Sequence, residues 1–251
     1  MTSALLWQAP LLMAVGAVAG CLNVIAGGGS LLTLPMLIFL GLPGATANGT
    51  NRIAIFCQNI FAINTFRRRG VFPLRLALWC TFPALVGSYI GARLAVDISD
   101  ELFRQVLGVI MIGVLLLTTF DPMKRWRTIA HELTPLRYTV LFVTFFGVGI
   151  YGGFVQAGVG FLIISGLLVH GLDLVEINAI KVIVIFAFTS IALVVFVVHG
   201  QVDYSLGLSL AVGNSFGGWL GTHLSVSKGH AWIQRVVSVT VLVFAAKLLL
   251  G

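Results

Sequence analysis

Apolar runs of about 20 residues recur along this chain with no hydrophilic domain between them, and that recurrence leaves few folds open. A helix rising about 1.5 Å per residue needs about that many residues to cross a ~30 Å hydrocarbon core. Hydrophobic residues make up 59% of the 251 and charged residues 9%, with a mean hydropathy of +1.06, a balance outside the range of soluble domains. In lipid every backbone N–H and C=O must find a partner within the protein, which only helices and closed barrels achieve. The alternating ten-residue pattern of barrel strands is absent, so the expected class is an all-α polytopic membrane bundle. The first segment, from Ala4 to Ala26, lacks a basic leader and a small-residue cleavage site and reads as a retained helix.

Polar breaks divide the chain into segments near 4–26, 30–40, 44–66, 72–95 and 102–120, then 138–157, 160–170, 173–198, 203–224 and 232–250. Each half runs long, short, long, long, long. An offset of 130 pairs Gly41 with Gly171, Leu42 with Leu172, Asn48 with Asn178, Phe56 with Phe186, Gly70 with Gly200, Gly87 with Gly217 and Gly91 with Gly221. An offset of 131 lays Ala26-Gly27-Gly28-Gly29 on Ala157-Gly158-Val159-Gly160. The chain is therefore expected to be one membrane domain made of a first repeat, 1–120, a linker, 121–137, and a second repeat, 138–251.

Lys and Arg in short loops favour the cytoplasmic side. Loop 67–75 holds Arg67, Arg68, Arg69 and Arg75; loop 121–137 holds Lys124, Arg125, Arg127 and Arg137; loop 225–235 holds Lys228 and Arg235. These are expected inside. The counterpart of loop 67–75, His199 to Asp203, has neither Lys nor Arg, and loop 93–104 balances Arg93 and Arg104 against Asp97, Asp100 and Glu101, so both are expected outside. Equivalent loops then lie on opposite sides, which is the inverted-repeat plan of many secondary transporters.

Two glycine-rich interruptions fall at the same place in each half. Gly27 to Gly29 precede a segment too short to span, Leu31 to Leu40, and Gly158 and Gly160 precede its counterpart, Phe161 to His170. Glycine costs a helix interior about 1 kcal/mol relative to alanine, so such clusters read as breaks. Paired breaks at membrane depth mark a transporter's binding site. A half-helix starting near Ser30 or Phe161 points unpaired N–H groups and a positive dipole end inward, which suits an anion. The pairs Gly16/Gly20, Gly87/Gly91, Gly149/Gly153 and Gly217/Gly221 have the spacing of close helix packing instead.

Each half also carries one cation well inside a segment. GATANGTNRIAIF puts Arg52 about 12 Å beyond Gly44, flanked by Asn48, Thr50 and Asn51, and VEINAIKVIVIF puts Lys181 eight residues beyond Asp173, close to Asn178. All eight acidic residues lie in or beside loops, so neither cation has a carboxylate partner in the segments. Intramembrane ionisable groups face cavities or partners. The candidate substrate-binding set is Arg52, Lys181, Asn48, Thr50, Asn51, Asn178, Gly28, Gly29, Ser30, Gln156, Gly158 and Gly160, Gln156 entering because it directly precedes the second break.

Other functions find little support. The basic residues form no basic aromatic face, which excludes nucleic acid as a partner. Cys21, Cys57 and Cys80 lie in apolar segments with neither C-x-x-C nor histidine-paired spacing, so they read as reduced packing residues, and no metal or cofactor is expected. H-E-x-x-H, G-x-S-x-G and paired carboxylates are missing from the segments, which argues against an enzyme. An anion channel would need rings of basic side chains, where each repeat supplies one cation, and stays as the alternative.

AGGGS followed by a proline five residues on, the ATANGTNRIA segment, and the second-half AGVG and NAIKV together resemble the sulfite exporter TauE/SafE family over nearly the whole chain. The second half departs from the fuller glycine cluster at Val159. The resemblance implies a multi-pass permease of the bacterial cytoplasmic membrane for small sulfur-containing anions such as sulfite, thiosulfate or sulfoacetate, acting as an exporter. The partners so implied are a small anion and the bilayer, with a homodimer admitted.

Overall fold

The structure is a computed structural model, all-helical among its described residues, which are 3–119 and 135–250. The helices are α1 (Ser3–Ile25), α2 (Ser30–Phe39), α3 (Gly44–Arg68), α4 (Leu74–Val96), α5 (Asp100–Thr119), α6 (Pro135–Phe154), α7 (Val159–Leu168), α8 (Leu174–Val198) and α9 (Tyr204–Leu250). The interior of α9 breaks at Gly229, where φ is 72°, close to the expected division between its two segments. Most of the expected linker, including Lys124, Arg125 and Arg127, lies outside the described residues.

Among the described residues, four stretches are long and apolar enough to cross a bilayer: Trp7–Ile25, Leu74–Val96, Pro135–Phe154 and Leu174–Val198. The chain is a multi-pass membrane protein. Helix α3 is as long as α8, but Asn48, Thr50, Asn51, Arg52, Gln58 and Asn59 break its apolarity, and all six are buried. Its polar side chains turn into the protein, away from lipid. Large apolar residues are instead exposed on the outside, Phe82, Tyr89 and Leu94 of α4 and Leu208, Val212 and Phe216 of α9 among them.

The glycine pairs show how the helices meet. A Cβ on Gly87 or Gly91 of α4 would run into the Phe146 or Ile150 carbonyl of α6, and one on Gly217 or Gly221 of α9 into the Ala17 or Cys21 carbonyl of α1. The same contact thus occurs twice, each time joining the first long helix of one half to the fourth of the other. Small residues allow this because association in lipid rests on close backbone packing.

Helices α3 and α8 run antiparallel. The Asp203 N–H, just beyond α8, donates to Thr50 Oγ1 near the start of α3 at 2.9 Å. At the other end Gly70 to Pro73, just beyond α3, line a recess with Asp173, Val175 and Glu176 at the start of α8. Phe56 and Phe186, equivalent under the 130-residue offset, stack on each other with ring centroids 4.9 Å apart. The turns after α3 and α8 match as well, with Gly70 at φ 76° and Gly200 at φ 68°, a backbone region that glycine enters without strain.

The paired helix breaks and their buried cations

Each half contains a helix that stops inside the protein and resumes after four residues. Helix α1 ends at Ile25 and α2 begins at Ser30; α6 ends at Phe154 and α7 begins at Val159. The two breaks touch backbone to backbone, since a Cβ on Gly27 would lie 2.5 Å from Gly160 Cα. Gly27, at φ 87°, turns the chain out of α1, and Gly158, at φ 70°, turns it into α7. The remaining glycines of the candidate set pack closely: Gly28 faces the Phe161 ring, Gly29 abuts the Ala19 carbonyl and Asn23, and Gly160 abuts Gly27.

An interrupted helix leaves carbonyls unpaired at one side of the gap and N–H groups unpaired at the other. The carbonyl sides are closed by the two buried cations, each reaching across from the opposite half. Arg52 of α3 donates from Nη1 to the Gly152 carbonyl at 3.1 Å and from Nη2 to the Gly153 carbonyl at 2.5 Å, while Asn48 Nδ2 donates to the Phe154 carbonyl at 2.7 Å. Those are last-turn oxygens of α6. In α8, Lys181 Nζ donates to the Val24 carbonyl at 2.7 Å, and Asn178 Nδ2 to the Ile25 carbonyl at 3.3 Å, at the end of α1. Within each pair the asparagine oxygen also accepts from the cation, at 3.4 Å from Arg52 Nη2 and 2.7 Å from Lys181 Nζ. A cation at a helix C-terminus has a favourable interaction with the macrodipole as well as the hydrogen bonds.

The N–H sides have no such closure. Gly29 caps α2 and Gly158 caps α7, neither with a side-chain hydrogen bond. On α3 and at the second break lie buried polar atoms that have no partner among the described residues: Asn51 Nδ2, Arg52 Nε and both polar atoms of Asn59 on α3, and Gln156 Oε1 at the break. Asn51 Oδ1 accepts from Thr33 Oγ1 of α2 at 2.7 Å, and Gln156 Nε2 donates to Thr189 Oγ1 of α8 at 2.6 Å, so each break is tied to a long helix. Among the described residues Arg52 and Lys181 are fully buried and no Asp or Glu is. The centre therefore brings together two buried basic side chains and two helix N-termini, with no carboxylate buried among the described residues.

The family model for the sulfite exporter TauE/SafE matches residues 12–248. The chain belongs to the TauE/SafE family. Among its relatives are the probable membrane transporter protein YfcA of Escherichia coli strain K12, 30% identical over 98% of this chain and 93% of that one, and a probable membrane transporter protein of Haemophilus influenzae, 27% identical over 95% and 93%. A third, YjnA of Bacillus subtilis strain 168, is 25% identical over 94% and 96% and is likewise a probable membrane transporter protein. No solved structure matches. This TauE/SafE protein is a membrane transporter and not an enzyme.

Most of the candidate residues gather at the two breaks. Asn48 and Arg52 sit at the second, Asn178 and Lys181 at the first, Gly28, Gly29, Gln156 and Gly158 lie in the breaks, and Ser30 and Gly160 lie in the first turn of the helix that follows each. Thr50 stands apart, holding the Asp203 N–H at the far rim. The carbonyl acceptors of the cations, Gly152, Gly153 and Val24, and the partners Thr33 and Thr189 were not among the sequence candidates. Of these only Thr189 had a signal in the sequence, the offset of 130 that makes it the equivalent of the equally buried Asn59.

Proposed function

We propose that this transporter moves small sulfur-containing anions, sulfite, thiosulfate or an organosulfonate, outward across the bacterial cytoplasmic membrane by alternating access. The observation that carries the reading is the charge at the centre: two fully buried cations, no buried carboxylate among the described residues, and two helix N-termini without side-chain caps. Such a centre is costly to leave without an anion, because buried charge lacks water to solvate it. Arg52 Nε and Asn51 Nδ2 supply donors without a partner among the described residues, and Lys181 and Arg52 supply charge. The family description names a sulfite exporter, which agrees with a compact oxyanion.

In this proposal the halves are inverted repeats related by an axis in the membrane plane that passes between Phe56 and Phe186. Loop 67–75 is cytoplasmic and loop 199–203 faces outward. Export of an anion from a negative-inside cell is already favoured by about 2.3 kcal/mol per charge per 100 mV, so no coupling ion is required. Uptake into liposomes from a panel of sulfur oxyanions and carboxylic acids tests the reading. Saturable uptake of one or more sulfur oxyanions is expected, and unitary single-channel currents would replace the transporter by an anion channel.

A further inference from the structure

Helices α3 and α8 carry matching buried stripes at helical spacing. On α3 the stripe is Asn48, Arg52, Ile55, Asn59, Ala62 and Phe66; on α8 it is Asn178, Val182, Ile185, Thr189, Ala192 and Phe196, the same positions advanced by 130. Because the helices are antiparallel, Phe66 and Phe196 lie at opposite ends of this seam. Both are fully buried and among the largest side chains that are. Their surroundings correspond. The Phe196 ring lies 4.9 Å from the Arg52 guanidinium and against Gly49, while Phe66 belongs to a buried cluster with Ala179 and Val182, the equivalents of Gly49 and Arg52. Val24, whose carbonyl holds Lys181, is in that same cluster.

Each phenylalanine also sits immediately inside a helix-ending turn of the same design. The Phe66 carbonyl accepts from Val71 N–H at 3.1 Å, and the Phe196 carbonyl accepts from Gln201 N–H at 3.0 Å. Outside Phe66 is the recess of about 540 Å³ between Gly70 to Pro73 and the start of α8. Outside Phe196 the Gln201 side chain donates to the Val96 carbonyl at 2.9 Å, beside the Thr50 contact with Asp203. Between Phe66 and the level of Arg52 lies Asn59, buried and with neither polar atom partnered among the described residues. An amide with its whole hydrogen-bonding capacity unmet is costly in a packed interior, and it has a use where a polar traveller passes.

We propose that the α3/α8 seam is the translocation path, that Asn59 lines its inner half, and that Phe66 and Phe196 are its cytoplasmic and outer gates. Both rings are in place here, so the structure is closed at both ends. Opening then consists of one ring leaving its cluster, the residue one turn below each being a small one, Ala62 or Ala192. The proposal rests on the anion reading for the identity of the traveller but not for the path.

Accessibility of single cysteines tests it with no substrate present. In full-length protein with Cys21, Cys57 and Cys80 replaced by alanine, Asn59→Cys and Thr189→Cys would each be labelled with a charged, membrane-impermeant methanethiosulfonate, applied to inside-out or right-side-out vesicles. Phe66→Ala is expected to speed labelling at position 59 from the cytoplasmic face about ten-fold or more and leave position 189 unchanged. Phe196→Ala should speed labelling at 189 from the outer face and leave 59 unchanged. Acceleration at both positions by either substitution signals loss of folding, and Phe66→Leu and Phe196→Leu, which keep most of the apolar volume, must then give the crossed pattern at smaller amplitude. Unchanged rates, or acceleration from the wrong face, overturn the gates. Because no anion takes part, failure here leaves the anion reading standing, and failure of anion uptake leaves the gates standing.

Discussion

Replacing Gly160 by alanine asks directly whether the two helix breaks are pressed together. An added Cβ would stand 2.8 Å from the Gly27 carbonyl oxygen and closer still to Gly27 Cα, both main-chain atoms that cannot rotate aside. Ordinary carbon contacts lie near 3.5–4.0 Å, so the breaks must separate by about 1 Å. Overpacking of this kind costs about 1–3 kcal/mol. Against it stands a helix-propensity gain of up to about 1 kcal/mol, because Gly160 lies within α7. The net expectation is a loss of about 1–2 kcal/mol, or roughly 2–8 °C in melting temperature for a chain of this size. Gly147→Ala is the matched control, since Gly147 is helical in α6 and its Cβ would meet nothing within 4 Å, so it should hold or gain stability. Tryptophan fluorescence of the purified protein during heating measures both. If Gly160→Ala melts no lower than Gly147→Ala, the breaks are not in contact and the central geometry is wrong.

Arg52→Gln and Lys181→Gln should each lower stability by about 1–3 kcal/mol, because the freed carbonyls of Gly153 or Val24 stay buried without a charged donor, and each should also weaken anion binding. Arg52→Lys should restore part of the stability, since an ammonium keeps the charge but not the planar fork that reaches two carbonyls; recovery to the native melting temperature would contradict the hydrogen-bond account. Cysteines placed at 69 and 201 should react with an impermeant reagent from opposite faces, and reaction from the same face would end the inverted-repeat proposal. Thr50→Val removes the acceptor of the Asp203 N–H and should speed labelling at 201 from outside without changing it at 69; equal rates would show that this contact does not hold the rim.

The interruptions were legible because glycine clusters followed by segments too short to span have few other readings. The offset of 130 relates Gly70 to Gly200 and Phe56 to Phe186, and these pairs take matching places, in the turns after α3 and α8 and in one ring stack. The helix pairing was not legible. G-x-x-x-G spacing announces close approach without naming a partner, and the Gly87/Gly91 pair meets a helix of the other half. The partners of Arg52 and Lys181 were hidden for a related reason. A search along the sequence for balancing charge looks for carboxylates, whereas the acceptors are main-chain oxygens that exist only because the helices stop. The finding assigns each basic side chain a structural task, closing a helix end.

In the anion reading the paired breaks form a binding site. Solid-supported membrane electrometry on the reconstituted protein probes this through the sign of the charge moved when solutes are added. At least one sulfur oxyanion should drive a saturable movement of negative charge into the liposome, and Arg52→Gln combined with Lys181→Gln should abolish it. Movement of positive charge, or a response confined to cations and neutral solutes, would refute an anion site.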